Sequence, residues 1–308
     1  MADTCDVLLA GTMGNIGPDV CSALAAHDLK VSVMDFPQNV HRDEFGYRRL
    51  LMKTVAACRP RMIMPVGNPV TLSRIAAEAA AGESPRNFPG IWDGIVFAVE
   101  SPGKVMLLDS KVYSSALATR LGIRQPAIYA TPEEAEGRQV IFKRDVSFGG
   151  QGVHLPWNRR SLDNLIAHQS PGEPYLIEDF IKGDDYSVDV LRFPGFVRTG
   201  CYKVVAHHPA TRGAGGDRGS MCPSTGREMC SFPEIEQMAL RILDELDYNG
   251  VCGMDFRVDA GGVPYFLECN PRFTAAVGSQ VEAGFDIPYL LYSCLNQQSR
   301  DFCEFSQY

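Results

Sequence analysis

Toward the C-terminal end of the chain, Asp255, Glu268, Asn270 and Arg272 lie on two apolar runs joined by the turn Asp259-Ala260-Gly261-Gly262. Folded back as a hairpin, the runs bring Asp255 alongside Glu268. Residues two apart on a strand share a face, so Asn270 and then Arg272 continue the line. Two carboxylates and an amide oxygen are hard donors of the kind Mg²⁺ takes, with phosphates and water completing its octahedron. Acids on a hairpin are often simply solvated. Glu268, however, sits inside Tyr265-Phe266-Leu267-Glu268-Cys269, where an unpaired carboxylate would be costly, and this favours a metal. Arg272 would then serve as an anion clamp.

A second set suits phosphate. Lys143 ends an apolar strand and is followed by the glycine loop Ser147-Phe148-Gly149-Gly150-Gln151-Gly152, so an ammonium and backbone N–H groups can face the same anion. Lys111 offers a second cation, following Asp109 in a helix. Glu178 ends a strand before Phe180 and Ile181, and Asp185 lies seven residues beyond it. Taken singly, such groups are as readily surface residues, but with the hairpin they form one set. A third motif, Gly11, Gly14 and Gly17 with Asp35 closing the next strand, is placed like a dinucleotide fingerprint. Its spacing is GxxGxxG rather than GxGxxG. It therefore reads as a structural strand-to-helix turn, or a seat for part of a substrate, ahead of a nucleotide site.

These residues need positioning elements. Residues 7–10, 31–34 and 62–65 read as strands alternating with helices at 19–27, 44–58 and 71–81, a βαβ pattern with a parallel sheet. Residues 82–94 read as a loop. Beyond residue 100 the pattern changes: one helix at 104–121 closed by Gly122, a strand at 140–143, and a short helix at 161–168. Strands at 175–178 and 186–190 follow, then a long glycine-rich loop at 211–219, a helix at 233–246, and the hairpin strands 253–258 and 264–269.

The 308 residues suggest two domains, or one with a lid. With 29 Lys and Arg against 37 Asp and Glu, the net charge of −8 argues against nucleic acid as a partner. No apolar run is long enough to span a membrane. Asp3 and Asp6 stand where a signal peptide would be basic, which predicts a cytoplasmic protein. Ten cysteines without a CxxC pair point to buried reduced thiols instead of zinc.

The chain resembles the ATP-grasp carboxylate–amine ligases, most nearly the carbamoyl phosphate synthetase large subunit and biotin carboxylase. The order of the Lys111 helix, Lys143 with its glycine loop, the segment from Ile177 to Asp189 and the metal hairpin carries the likeness over nearly the whole chain. The resemblance implies an α/β and α+β ATP-grasp fold, with an N-terminal parallel-sheet, Rossmann-like domain at 1–100. The ATP-grasp domain would span 101–308, its lid about 126–182 and its C-terminal part about 183–308.

By the same resemblance Lys111, Lys143, Ser147, Gly149, Gly150 and Gly152 hold the phosphates of ATP. Glu178 accepts from the adenine amino group, the backbone of Phe180 and Ile181 reads the ring edge, and Asp185 holds the ribose. Asp255, Glu268 and Asn270 bind Mg²⁺, with Mn²⁺ admitted, while Arg272, Lys143 and Arg212 steady the transferred phosphoryl group or the substrate carboxylate. Asp185 is shorter than the Glu more usual there, and Leu-Asp-Ser-Lys replaces the usual Asp-Lys around Lys111. The implied activity couples a small carboxylic acid, such as an amino acid, to an amine through an acyl phosphate. Bicarbonate activation and a non-catalytic nucleotide-binding regulator are the alternatives. An NAD-dependent oxidoreductase would leave the hairpin without a task. His207 or His208 could assist the incoming amine. Asn15, Asp35, Asn68, Arg212 and Ser279 are candidate substrate contacts, and a homodimer is compatible with this reading.

Overall fold

The computed structural model describes residues 4–11, 14–36, 43–147, 152–207 and 224–296. Strand β1 (Val7–Ala10) is buried along its length and runs parallel to β2 (Val31–Met34) and β3 (Met62–Pro65). Its residues are uniformly apolar because helices cover both faces, as parallel sheets require. The crossovers are α1 (Ile16–Ala25), α2 (Glu44–Cys58) and α3 (Pro69–Ala80). A short β4 (Val96–Phe97), too brief to show a period, completes the order β2-β1-β3-β4.

The single helix expected at 104–121 is two, α4 (Pro102–Asp109) and α5 (Lys111–Arg120). Ser110 between them is extended, at φ −82° and ψ 122°, and its Oγ accepts from the Tyr113 N–H to cap α5. Asp145 stabilises the break by accepting from Ser110 Oγ at 2.7 Å and from the Val112 N–H at 2.9 Å. Lys111 thereby becomes the first residue of α5.

A second sheet has the order β5-β8-β6-β7, built from β5 (Ile128–Tyr129), β6 (Val140–Arg144), β7 (Val153–His154) and β8 (Tyr175–Asp179). Helix α6 (Arg159–Ala167) covers one face, with Leu162 against Val140, Phe142 and Ile177. Alternation along β6 and β8 sends Lys143 and Glu178 to the other face.

The third sheet runs β11-β10-β9-β12-β13 and is antiparallel throughout. Its strands are β9 (Gly183–Phe193), β10 (Phe196–His207), β11 (Ser224–Cys230), β12 (Gly250–Asp259) and β13 (Pro264–Asn270). β9 is longer than the sequence pattern suggests, and β10 and β11 have no clear alternation, with Gly200 and charged residues interrupting it. Helix α7 (Pro233–Glu245) packs Ile235, Ala239 and Ile242 on Val188, Val190, Met254 and Phe256. Helices α8 (Val277–Glu282) and α9 (Ile287–Asn296) share a core with β1 and α1 through Val277, Leu291, Leu9 and Val20. Among the described residues no helix is long and apolar enough to cross a membrane.

Candidate active site

The hairpin β12–β13 contains an irregularity that matters for chemistry. Val258, Arg257 and Phe256 pair with Pro264, Tyr265 and Phe266, but Asp255 pairs with Glu268, so Leu267 is an extra residue in β13. Without that bulge the same turn register would set Glu268 opposite Met254, on the α7 face. With it, Phe256 and Phe266 enter the α7 core while Asp255 and Glu268 share the opposite face.

That face is polar in three rows. Asp185 on β9 pairs with Arg257, Ser187 with Asp255 and then Glu268, and Asp189 with Gly253 and then Asn270. Arg257 Nε lies 3.2 Å from Asp185 Oδ1. Ser187 Oγ donates to Asp255 Oδ1 at 2.5 Å, and Asn270 Nδ2 donates to Asp255 Oδ2 at 3.3 Å. Arg272 Nη2 donates to Asn270 Oδ1 at 2.9 Å, closing a chain from arginine through amide to carboxylate. In the third row Asp189 Oδ2 accepts from Thr274 Oγ1 and Gln280 Nε2 at 2.7 and 2.6 Å. A Cβ at Gly253 would stand 2.4 Å from Asp189 Oδ1, so this row closes only around a glycine.

The lysines approach from the other elements. Lys111 Nζ lies 3.2 Å from Glu268 Oε2 and also donates to the Asp145 carbonyl and Ser147 Oγ at 3.3 and 3.4 Å. Lys143 Nζ is ion-paired with Glu178 Oε1, and both side chains are buried. A cation at the first position of α5 opposes the helix dipole, so Lys111 is held there by Glu268, the Asp145 carbonyl and Ser147 Oγ and not by its helix.

Electrostatics follow from burial and neighbours. Burial drives Asp255 up to about 7, and the Glu268 carboxylate beside it adds to the rise. Glu268 feels the same burial, yet Lys111, Lys143 and Arg272 outweigh it and hold its carboxyl below the ordinary value. Burial raises Glu178 even against Lys143, and raises Asp109 against Arg272 and Lys111. Arg272 is itself lowered by burial, with Asp109, Glu268 and Asp255 countering.

A divalent cation fits these donors. Two crowded carboxylates, one driven toward its protonated form by burial and then by the other, are relieved by a positive ion between them. Among the described residues no cluster of three or more His, Cys, Asp or Glu forms a metal cage. Mg²⁺ takes one or two carboxylates, as Asp255 and Glu268 offer, and draws its other ligands from phosphate and water.

The structure thus brings together Lys111, Ser147, Glu268, Asp255, Asn270 and Arg272, with Lys143 and Glu178 adjoining. Gly152 packs on Ser147, where a Cβ would lie 2.5 Å from the serine Cβ. Gly149, Gly150, Arg212 and His208 lie outside the described residues, as does the His207 side chain. The Phe180 N–H is donated to the Gln139 carbonyl at 2.8 Å. Asn15 donates to Asp19, and Asn68 precedes α3 at the N-cap position in a left-handed conformation, φ 50°, with no capping bond from its side chain. Gly11, at φ +89°, abuts Gly67: a Cβ there would come within 3.2 Å of the Gly67 nitrogen, which gives the N-terminal turn a structural reason for glycine.

Sequence reasoning assigned no role to Asp109, Asp145, Ser187 or Arg257. Period-two alternation could have flagged Ser187 and Arg257, which share a face with Asp189 and Asp255. Nothing local marks Asp145, whose role is to hold a helix break far away in sequence.

The small sheet carries Lys143 and helix α5 begins at Lys111, and both lysines act on Glu268 of the larger sheet, which also carries Asp255 and Asn270, with Arg272 just beyond β13. The family model for the ATP-grasp domain matches residues 110–276, more than half of the chain, and the chain belongs to this family. It is 28% identical over 180 residues to the carbamoyl phosphate synthase large chain of Caldanaerobacter subterraneus subsp. tengcongensis. That match covers 53% of this chain and 16% of the relative, so the chain spans only a small part of the curated relatives it matches. Many solved structures share its fold. One is the biotin carboxylase domain dimer of Hydrogenobacter thermophilus 2-oxoglutarate carboxylase, in complex with MgADP, ADP and bicarbonate, with a TM-score of 0.69 at 16% identity over 96% of this chain and 70% of that one. Another is an L-amino acid ligase from Bacillus licheniformis, with a TM-score of 0.66 at 15% identity over 95% of this chain and 75% of that one.

Proposed function

We propose that the chain is an ATP- and Mg²⁺-dependent carboxylate–amine ligase, activating a small carboxylic acid as an acyl phosphate and joining it to an amine, with release of ADP and phosphate. The observation that carries this reading is the meeting of Lys111, Glu268, Asp255, Asn270 and Arg272 in one polar cluster, its lysine and arginine buried and its other members half-buried, beside Lys143. Mg²⁺, when bound, neutralises charge on the phosphoryl oxygens.

The residues divide the remaining work. Lys111 and Lys143 orient the phosphates, Glu178 and the backbone at Phe180 and Ile181 face the adenine, and Asp185 serves the ribose. Arg272 steadies the transferred phosphoryl group or the substrate carboxylate through preorganised charge. In this proposal residues 1–100 form the N-terminal domain. Residues 101–308 form the ATP-grasp domain, with 126–182 as its lid and 183–308 as its C-terminal part. A homodimer is included on the precedent of the Hydrogenobacter domain dimer.

The amino acid ligase neighbour supports an amino acid as the acid, whereas the carbamoyl phosphate synthase match supports bicarbonate. ADP release with Mg·ATP, measured across amino acids singly and in pairs, with bicarbonate plus ammonia as a separate reaction, decides between them. ADP formed only with a particular acid–amine pair establishes the ligase and names its substrates. ADP formed only with bicarbonate assigns the alternative. ATP binding without turnover on any substrate counts for a regulator.

Two expectations follow from the site. Asp255 must lose its proton to bind metal, so metal binding releases a proton and strengthens as pH rises through 7. Between pH 6 and pH 8 the Mg·ATP affinity is expected to gain about tenfold beyond the titration of ATP itself. Calorimetry of the wild type against Asp255→Asn isolates that gain, and equal pH slopes would remove Asp255 from the metal. Asp35→Ala is expected to leave ATP affinity within about twofold, as suits a surface substitution away from the nucleotide. A large loss would restore a nucleotide to the N-terminal turn.

A further inference from the structure

The cysteines contain no CxxC pair, yet the fold places two in direct register. Cys201 on β10 pairs with Cys230 on β11, and their Sγ atoms are 3.8 Å apart. Directly opposed residues of antiparallel strands have Cα atoms about 4.5–5.5 Å apart, inside the range that a disulfide spans. Cys201 is buried in the core beneath α7, while Cys230 is exposed. This combination of a reachable thiol and a sheltered partner differs from Cys252 and Cys269, which are adjacent but both buried.

We propose that Cys201 and Cys230 form a modification site, a reversible dithiol–disulfide pair that takes a low-molecular-weight disulfide such as oxidised glutathione as its oxidant. The Cys230 thiolate, reached from solvent, attacks one sulfur of the oxidant and expels one glutathione thiolate, leaving a mixed disulfide. Cys201 then gives its proton to water or buffer and attacks the Cys230 sulfur, expelling the second glutathione. Two protons and two electrons leave the protein, and the oxidant becomes two thiols. Burial, with the Cys230 thiol alongside, pushes the Cys201 thiol well up, so the second step is the slower one and the mixed disulfide accumulates transiently.

The bond would join the edge strand β11 to its neighbour β10 in the sheet whose opposite edge, β13, bears Glu268 and Asn270. It would also close the chain between 201 and 230 into a loop, restricting the unfolded state. This inference does not rest on the ligase reading.

The test equilibrates the full-length chain in glutathione buffers of increasing oxidised fraction, alkylates under denaturing conditions and maps the peptides by mass spectrometry. Cys201 and Cys230 are expected to lose alkylation together and to appear as one linked peptide pair that dithiothreitol releases. The oxidised form should melt roughly 5 °C higher, a shift absent from Cys230→Ser. A lasting glutathione adduct on Cys230 with Cys201 still alkylated would overturn the proposal. So would a bridge between Cys5 and Cys58, whose backbones meet where the Cys5 N–H donates to the Cys58 carbonyl at 2.9 Å, while Cys201 and Cys230 stay reduced. Should Cys230→Ser fail to fold, the wild-type peptide map decides alone.

Discussion

Glu268→Gln is expected to lower Mg²⁺-dependent ADP release about 10³-fold while the protein keeps its fold. The amide keeps the shape of the side chain but removes the negative charge that faces Lys111 at 3.2 Å and lies across from Asp255. Lys111 retains the Asp145 carbonyl and Ser147 Oγ, so its ammonium is not stranded. Circular dichroism and a Tm within a few degrees of the wild type would show the fold intact. Losing its neighbouring charge, Asp255 should fall below its wild-type value of about 7, detectable by carboxyl NMR in the metal-free protein. Full turnover in Glu268→Gln would remove the metal from this hairpin.

Lys143→Ala is expected to act on stability and on nucleotide binding together. The lysine is the buried ion-pair partner of Glu178, itself only 3% exposed. Removing one member of such a pair leaves a buried charge uncompensated, a loss of about 3–5 kcal/mol. Because burial already raises Glu178, the stranded carboxyl takes up a proton at low pH, and the deficit widens as pH rises. ATP affinity should fall by on the order of 10–100-fold as a charge-assisted phosphate contact is lost. The double variant Lys143→Ala, Glu178→Gln separates the two effects: it should recover most of the stability and none of the affinity. Thermal melts and calorimetry on the three proteins test this. Wild-type ATP affinity in Lys143→Ala would place the phosphates elsewhere.

Much of this site was legible in the residue order. The apolar runs, the turn at 259–262, and the spacing of Glu268, Asn270 and Arg272 point to an oxygen-ligand hairpin, because hydrophobic period and turn chemistry are local properties. The N-terminal βαβ pattern was readable for the same reason, and β1 to β3 fall where the alternation places them.

Other features depend on distant partners. The break at Ser110 needs Asp145, 35 residues away, and without it Lys111 would lie in mid-helix, not at the head of α5. The bulge at Leu267 is invisible in a run that reads as a plain strand, yet it alone puts Glu268 on the face of Asp255. The pairings of Lys143 with Glu178, Arg257 with Asp185 and Cys201 with Cys230 come from strand neighbours that only the sheet order creates. Local sequence determines which residue types sit on which short element, through periodicity and turn preference. Tertiary packing decides register, and with it which buried charges face each other, because a one-residue slip carries every side chain to the other face of its sheet.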